Sequence, residues 1–317
     1  MTHTPASESA DVDLPLLGLI GFGEAGGGFV QGWRQKAPAL DILAYDIKTE
    51  SRDNAVSAGK WQDYRNAGVT GCDTPADALG RAPAVFSFVT ADQAQTAARA
   101  AAKVMQPGAF YFDCNSCAPD TKRASAAVLE AAGIKYVDTA VMAPVHPALH
   151  ETPILISGPH AADAAPLLSA LSMKARITPG DVGRASSIKM MRSVMIKGLE
   201  ALVLECVLSA RKAGVDADVL ASLDASFPGF DWPARAAYMM ERTTTHGIRR
   251  AAEMREVAKT ITDLNLPGDM ARAIVNWQQA MGDLTLPDTG SAQGYDLRAD
   301  AILAALEATD NTDRKEG

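Results

Sequence analysis

The apolar run Leu16-Leu17-Gly18-Leu19-Ile20 leads straight into Gly21-Phe22-Gly23-Glu24-Ala25-Gly26, and a helical pattern from Gly26 to Gln35 follows. A buried strand, a glycine turn and a helix in immediate succession leave the backbone few choices. Gly21 permits the tight turn, Gly23 leaves no side chain in the way of a group approaching the backbone, and Gly26 lets helix and strand pack closely. The helix that opens there offers unpaired N–H groups and the positive end of its dipole, which suits a phosphate. Gly21, Phe22, Gly23, Glu24, Ala25 and Gly26 are therefore the expected cradle of a dinucleotide pyrophosphate.

The same alternation continues. Ile42-Leu43-Ala44-Tyr45, Ala84 to Val89, Phe110-Tyr111-Phe112, Lys135-Tyr136-Val137 and Pro153 to Gly158 read as further strands, with helical stretches between several of them. Strands and helices at this spacing imply right-handed crossovers and a mainly parallel sheet covered on both faces. After Gly183 the period changes to three and four residues through Ile188, Met191, Met195, Leu199, Leu202 and Cys206. That pattern predicts one long amphipathic helix over 185–213. Beyond Gly214 the chain reads as helices broken by Pro228, Pro233, Pro267 and Pro287, with no strand signal. The fold class expected is an α/β N-terminal Rossmann domain (15–182), joined through the long helix to an all-α C-terminal domain (183–308), with a disordered tail at 1–14 and a frayed end at 309–317.

Asp46 closes the second strand about 20 residues beyond the glycine turn, where an acidic side chain accepts hydrogen bonds from the adenosine ribose and repels a 2′-phosphate. This favours NAD, while Lys48 nearby keeps NADP open. Val89 and Thr90 end a later strand and are expected near the nicotinamide ribose, because ligands lie beyond the carboxyl ends of the strands. The net charge of −8 argues against nucleic acid and anionic membrane partners. Four cysteines in 317 residues do not form a disulfide framework. No apolar run reaches the roughly 18 residues of a membrane span, and residues 1–14 lack the pattern of a signal peptide. A cytoplasmic protein with reduced thiols is expected.

Four stretches in order now carry a family resemblance: the glycine turn; Asp113-Cys114-Asn115-Ser116-Cys117-Ala118-Pro119; Val137-Asp138-Thr139-Ala140-Val141-Met142-Ala143-Pro144; and Gly183-Arg184-Ala185-Ser186-Ser187-Ile188-Lys189. Together they resemble the β-hydroxyacid dehydrogenase family, which includes 3-hydroxyisobutyrate and 6-phosphogluconate dehydrogenases. The resemblance spans roughly residues 16 to 213. The later segment Arg249 to Glu256 looks like an uncharacterised bacterial branch. By this resemblance Lys189 matches the catalytic lysine. Independently, oxidising an alcohol requires a group that takes the hydroxyl proton, and a lysine near a helix start and shielded from water suits that task.

Two departures bear on the substrate. Met142-Ala143-Pro144 stands where the family carries a carboxylate-gripping Ser-Gly-Gly, and Ser193 stands where it carries an Asn one turn after the lysine. Asn115, Ser116, Met142, Ala143, Ser193 and Arg250 are the expected substrate residues. Arg250 reads equally as an anion-binding group and as a partner of Glu253 or Glu256 on a solvated face. His146 and His150 read chiefly as an exposed loop pair, with His146 the better substrate candidate. Cys114 and Cys117 read as pocket-lining thiols rather than a disulfide, and no metal site is expected. Phe227, Phe230 and Trp232 read as a turn packed on the core in preference to a lid.

The function expected is hydride transfer between a nicotinamide and a small polar hydroxy or keto compound such as a hydroxy acid or sugar acid. The competing readings are a reductase of C=N bonds, an oxidoisomerase of a branched sugar acid, and a cofactor-binding sensor without chemistry. A homodimer joined through the helical domains is expected from Met191, Met195 and Leu199 on the long helix.

Overall fold

The computed structural model describes residues 16–286 and 294–316; the expected tail at 1–14 and Pro287 lie outside them. The chain divides into two compact units between Lys189 and Met190.

The first unit runs β1 (Leu17–Ile20), α1 (Glu24–Lys36), β2 (Ile42–Tyr45), α2 (Asn54–Ala67), β3 (Thr70–Gly71), α3 (Pro75–Leu79), β4 (Ala84–Ser87), α4 (Ala94–Val104), β5 (Phe110–Asp113), α5 (Pro119–Ala131), β6 (Lys135–Val141), β7 (Ile154–Ser157), α6 (Ala161–Ala170), β8 (Ala175–Ile177) and the start of α7 (Arg184–Ala213). The strand order is β3-β2-β1-β4-β5-β6-β7-β8. Only the β6–β7 pair is antiparallel among the described strands. This is the doubly wound arrangement that the alternating sequence predicts.

Burial on both faces explains why the strands read as continuous apolar runs. Leu19, Phe86, Phe112 and Val137 enter one core, while Ile20, Val85, Tyr111 and Tyr136 enter the other. Successive side chains thus feed opposite layers, as strand geometry requires. Phe86 and Phe112 stack with ring centroids 4.5 Å apart. β3 and β8 escape the sequence reading because they are short, largely exposed edge strands with no buried apolar run.

The division between units falls inside α7, not at the Gly183 turn before it. The physical reason is local: Ala185 packs on Ala140 and Leu155, and the amide of Ala185 donates to Ser157 Oγ at 3.0 Å. The first turns of the helix therefore belong to the sheet.

The second unit holds the rest of α7 with α8 (Asp216–Ser226), α9 (Trp232–Asp263), α10 (Asp269–Asp283) and α11 (Tyr295–Glu316). Pro233 sits in the first turn of α9 and starts that helix instead of breaking it, since a missing N–H costs nothing there. α11 continues through the stretch expected to fray; it contains neither Gly nor Pro to stop it. Gly247 and Gly282 bring α9 and α10 into backbone contact, and a Cβ on either would overlap the other helix. Met239, Met240 and Met254 are buried core residues.

On α7 the expected stripe is divided, Ile188 and Leu199 packing against buried clusters. Met191, Met195 and Leu202 are exposed, Met195 at 73%, whereas Met190, Ala201, Leu204 and Leu208 are buried. Apolar and charged side chains are both spread around this helix, so its periodicity does not say which face turns inward. Phe230 tilts onto buried Trp232 at 4.4 Å, the packing expected of that turn, whereas Phe227 is exposed.

Candidate functional site

The glycine turn has the geometry its spacing implies. Gly21 has φ +87°, and a Cβ there would stand 2.7 Å from the carbonyl of Phe88. At Gly26 a Cβ would come 3.0 Å from Gly21 O. Gly23 is different: a Cβ would meet nothing within 4 Å. It is the N-cap of α1, and no side chain caps that terminus. Open space over a helix N-terminus without a side-chain cap fits a phosphate.

Two side chains clamp the turn. Phe22 donates its N–H to Asp46 Oδ2 at 2.7 Å, and its C=O accepts from Lys60 Nζ at 2.6 Å. Asp46 Oδ1 also accepts from the Lys48 N–H at 2.9 Å. An ionised carboxylate has about four acceptor positions, so Asp46 keeps capacity for ribose hydroxyls. Lys60 is buried and paired with Asp63 at 2.7 Å. Nothing local in the sequence marks it, because α2 reads as a polar helix with scattered apolar positions. Glu24 and Ala25 open α1, Glu24 exposed and Ala25 half-buried, while the Phe22 ring packs on Tyr64.

The carboxyl edge of the sheet carries a buried polar row that sequence reasoning missed. In register stand Ser87 beside Asp113, Asp113 beside Asp138, and Asp138 beside Ser157. Lys122 of α5 is fully buried against them. Its Nζ lies 3.0 Å from Asp113 Oδ1 and 3.6 Å from Asp138 Oδ1. Burial alone would lower the lysine pKa, but Asp113 and Asp138 outweigh it and hold the ammonium above its ordinary range. The available signal was a lysine in the stripe Ala118, Lys122, Ala126, Leu129, spaced to lie on one helix face. Asp113 and Asp138 also close the runs Phe110-Tyr111-Phe112 and Lys135-Tyr136-Val137.

Lys189 reaches this edge from α7, and its Nζ donates to Ser116 Oγ at 2.5 Å. The two residues, 73 positions apart in sequence, are thus brought together. Asn115 is buried and its amide braces the strands: Oδ1 accepts from the Val89 N–H at 2.8 Å and Nδ2 donates to Ser87 Oγ at 2.9 Å. The amide thus has a structural part in bracing the strands, with one N–H and one lone pair beyond these two bonds. Thr90 is exposed at the end of the same strand segment. Its side chain, with that of Gln93, holds the Asp92 carboxyl below the usual range.

Met142 packs partly beneath α7 with Ala185 and Ile188, and Ala143 is exposed. His146 is exposed, but His150 is buried, contrary to the expected loop pair. It lies against Gly32 of α1, where a Cβ would overlap its ring. Cys114 and Cys117 are buried and form no disulfide; Cys114 packs in the core, and Cys117 Sγ donates to the Ala91 C=O at 3.6 Å. Burial pushes the Cys114 thiol well up, although Lys122 and Lys189 oppose the shift.

In the second unit, Ser193 is buried on α7. Arg249 takes Glu253 at 3.1 Å as one reading expected. Arg250 does not take the expected helix-face partner Glu253 or Glu256. It is buried, with Nη1 at 2.5 Å from Glu200 Oε2, and Gln278 Nε2 donates to the same oxygen at 3.2 Å. Partners so far off in sequence cannot be read from helical spacing. Among the described residues no helix is long and apolar enough to cross a membrane.

A doubly wound sheet with a glycine cradle, a strand-end carboxylate and a lysine at the carboxyl edge defines a dinucleotide-binding domain of the hydroxyacid dehydrogenase fold. The chain belongs to the family described as the NAD binding domain of 6-phosphogluconate dehydrogenase, which matches residues 16–180. Residues 210–281 match a domain of unknown function, DUF1932. A conserved hypothetical protein from Sinorhizobium meliloti is 34% identical, covering 93% of this chain and 97% of that one, with a TM-score of 0.71. A conserved protein of unknown function, described as structurally similar to 3-hydroxyacid dehydrogenases, is 28% identical over 84% of this chain and 96% of its own, with a TM-score of 0.64. The 3-hydroxyisobutyrate dehydrogenase of Mycobacterium tuberculosis, solved with L-serine, has a TM-score of 0.68 at 13% identity, covering 92% and 99% of the two chains; that likeness is one of fold.

Proposed function

We propose that this protein is a nicotinamide-dependent oxidoreductase that interconverts a small polar hydroxy compound and its keto form. The observation that carries the reading is the Lys189–Ser116 pair, 2.5 Å apart at the carboxyl edge of a dinucleotide-binding sheet. Gly21 to Gly26 and the α1 N-terminus would hold the pyrophosphate, Asp46 the adenosine ribose, and Val89 and Thr90 the region of the nicotinamide ribose. When bound, the nicotinamide supplies or accepts the hydride. NAD is the favoured form, since the Asp46 carboxylate repels a 2′-phosphate.

Lys189 performs the proton step. In the oxidative direction its neutral amine takes the hydroxyl proton while hydride leaves the same carbon; in reduction its ammonium returns a proton to the nascent alkoxide. Ser116 suits both states, because a hydroxyl accepts from an ammonium and donates to an amine. Met142-Ala143-Pro144 offers no side-chain donor to a substrate carboxylate, which supports a substrate held otherwise than a simple hydroxy acid.

The test is a spectrophotometric screen of hydroxy acids, sugar acids, their keto forms and cyclic imines with NADH and NAD, on the native protein and Lys189→Met. The expected result is turnover of a hydroxy or keto compound, reduced about 100-fold or more in Lys189→Met with cofactor binding retained. Reduction of imines alone would transfer the reading to a C=N reductase, and tight cofactor binding with no turnover would leave a sensor.

A homodimer is part of the same proposal, supported by the exposed apolar stripe Met191, Met195 and Leu202 on α7. Light scattering at a single 33.3 kDa mass, unchanged on concentration, would refute it.

A further inference from the structure

Asp113 and Asp138 are neighbours in register on adjacent parallel strands, both wholly buried. Two carboxylates so placed repel strongly in a medium that screens poorly. Lys122 stands between them and answers both. Its contacts reach further than charge. Nζ donates to the main-chain carbonyl of Asp113 at 2.5 Å, at the root of the loop that carries Ser116. Asp113 Oδ1 accepts from the Asn115 N–H at 3.1 Å, so the carboxylate also shapes the residue before Ser116.

The other carboxylate belongs to the helix that carries Lys189. Asp138 Oδ2 accepts from the Gly183 N–H at 3.1 Å, the Ser186 N–H at 3.1 Å and the Ser186 hydroxyl at 3.2 Å. Ser157 Oγ donates to the same oxygen at 3.1 Å and accepts the Ala185 N–H. Asp138 is thus a buried cap of α7, where a carboxylate is favoured by the helix dipole. Ala185 and Ser186 lie one turn before Lys189, four and three residues back, on its side of the helix. Fixing that turn fixes the direction from which Lys189 departs.

We infer that Lys122 is a positioning residue: through Asp113 it holds the Ser116 loop, through Asp138 it holds the first turn of α7, and so it sets the separation at which Ser116 meets Lys189. The inference rests on Lys189 being the reacting amine. Lys122 acts by joining the two supports of that pair.

The test reads Lys189 without turnover, so it stands or falls apart from the assignment of activity. Trace acetylation of the full chain with isotopically labelled acetic anhydride across the alkaline range, followed by peptide mass spectrometry, yields the titration midpoint of Lys189, with exposed Lys103 as the internal standard. Ser116→Ala is introduced into the native chain and into Asp113→Asn/Lys122→Met. The paired background is used because Lys122→Met alone leaves two buried carboxylates without a counter-ion and endangers folding, which circular dichroism checks. In the native chain, Ser116→Ala removes an acceptor from the ammonium and lowers the Lys189 midpoint by about one pH unit. In the paired background the same substitution leaves the midpoint in place, because Ser116 and Lys189 no longer meet. An equal shift in both backgrounds, or no shift in the native chain, overturns the inference. A purely structural role of Lys122 would lower stability without altering this coupling.

Discussion

Substituting alanine at two glycines of one turn separates the cofactor cradle from the fold. At Gly23 a Cβ meets nothing within 4 Å, and φ is −102°, a conformation alanine adopts freely. Gly→Ala here removes about 0.4–1 kcal/mol of unfolded-chain freedom, and alanine is a poorer N-cap than glycine by a similar amount. The two nearly cancel, so Tm stays within about 2 °C of native. The methyl, however, stands where a pyrophosphate must approach the backbone. A loss of about 2 kcal/mol, roughly thirtyfold in Kd, is expected. At Gly21 the reverse holds. With φ +87° and a Cβ falling 2.7 Å from the main chain of Phe88 and 2.8 Å from Val89 Cγ1, alanine suffers left-handed strain and overlap with atoms that cannot retreat. Together these cost about 3 kcal/mol, a fall in Tm of roughly 6–12 °C. Scanning calorimetry and NADH fluorescence titration measure the two effects side by side. Native NADH affinity in Gly23→Ala, or a Tm loss there as large as in Gly21→Ala, would refute the assignment of Gly23 to the phosphate.

Three further outcomes test particular side chains. Asp46→Ser removes the charge that repels a 2′-phosphate, so NADPH affinity rises relative to NADH by about tenfold or more, measured by paired titrations; an unchanged ratio would make Asp46 only a clamp on Phe22. His150 is buried with neither ring nitrogen hydrogen-bonded, and burial lowers its pKa, Glu151 opposing and Lys36 and Lys174 assisting. The unfolded chain therefore takes up the proton first. This contribution to stability is intact above the unfolded value of about 6.5 and declines as pH falls below it toward the depressed folded value. Urea melts of His150→Leu should lose that part of the acid slope, and an unaltered slope would assign it elsewhere. Arg250→Met leaves Glu200 buried with its charge unanswered, a cost of about 3–5 kcal/mol by chemical denaturation; native stability with weakened anion binding would restore the anion-binding reading of Arg250.

Much of the first unit was legible because its signals are local. The strand runs, the three glycines and the carboxylate closing β2 all follow from spacing along a short stretch, and each element buries what its neighbours in sequence predict. Lys189 was legible through its motif, and its pairing with Ser116 follows from the crossover topology that returns successive loops to one edge of the sheet. What tertiary structure decided are the matters that depend on partners distant in sequence. Lys122, which the sequence does not single out, gains its place only when register puts Asp113 beside Asp138. That Asn115 braces Ser87 and Val89 is visible only once the strands are side by side. His150 looked exposed until Gly32 opened a place for it on α1. Arg250 read equally as an anion-binding group and as a solvated partner of Glu253 or Glu256, and only the fold buries it against Glu200. On α7 the periodicity was real, yet a helix with apolar residues on more than one side can turn either inward, and only the packing of α9, α10 and α11 chose. Local propensity and spacing specify elements; which polar side chain is buried, and against what counter-charge, depends on desolvation and pairing between segments that only the folded chain brings together.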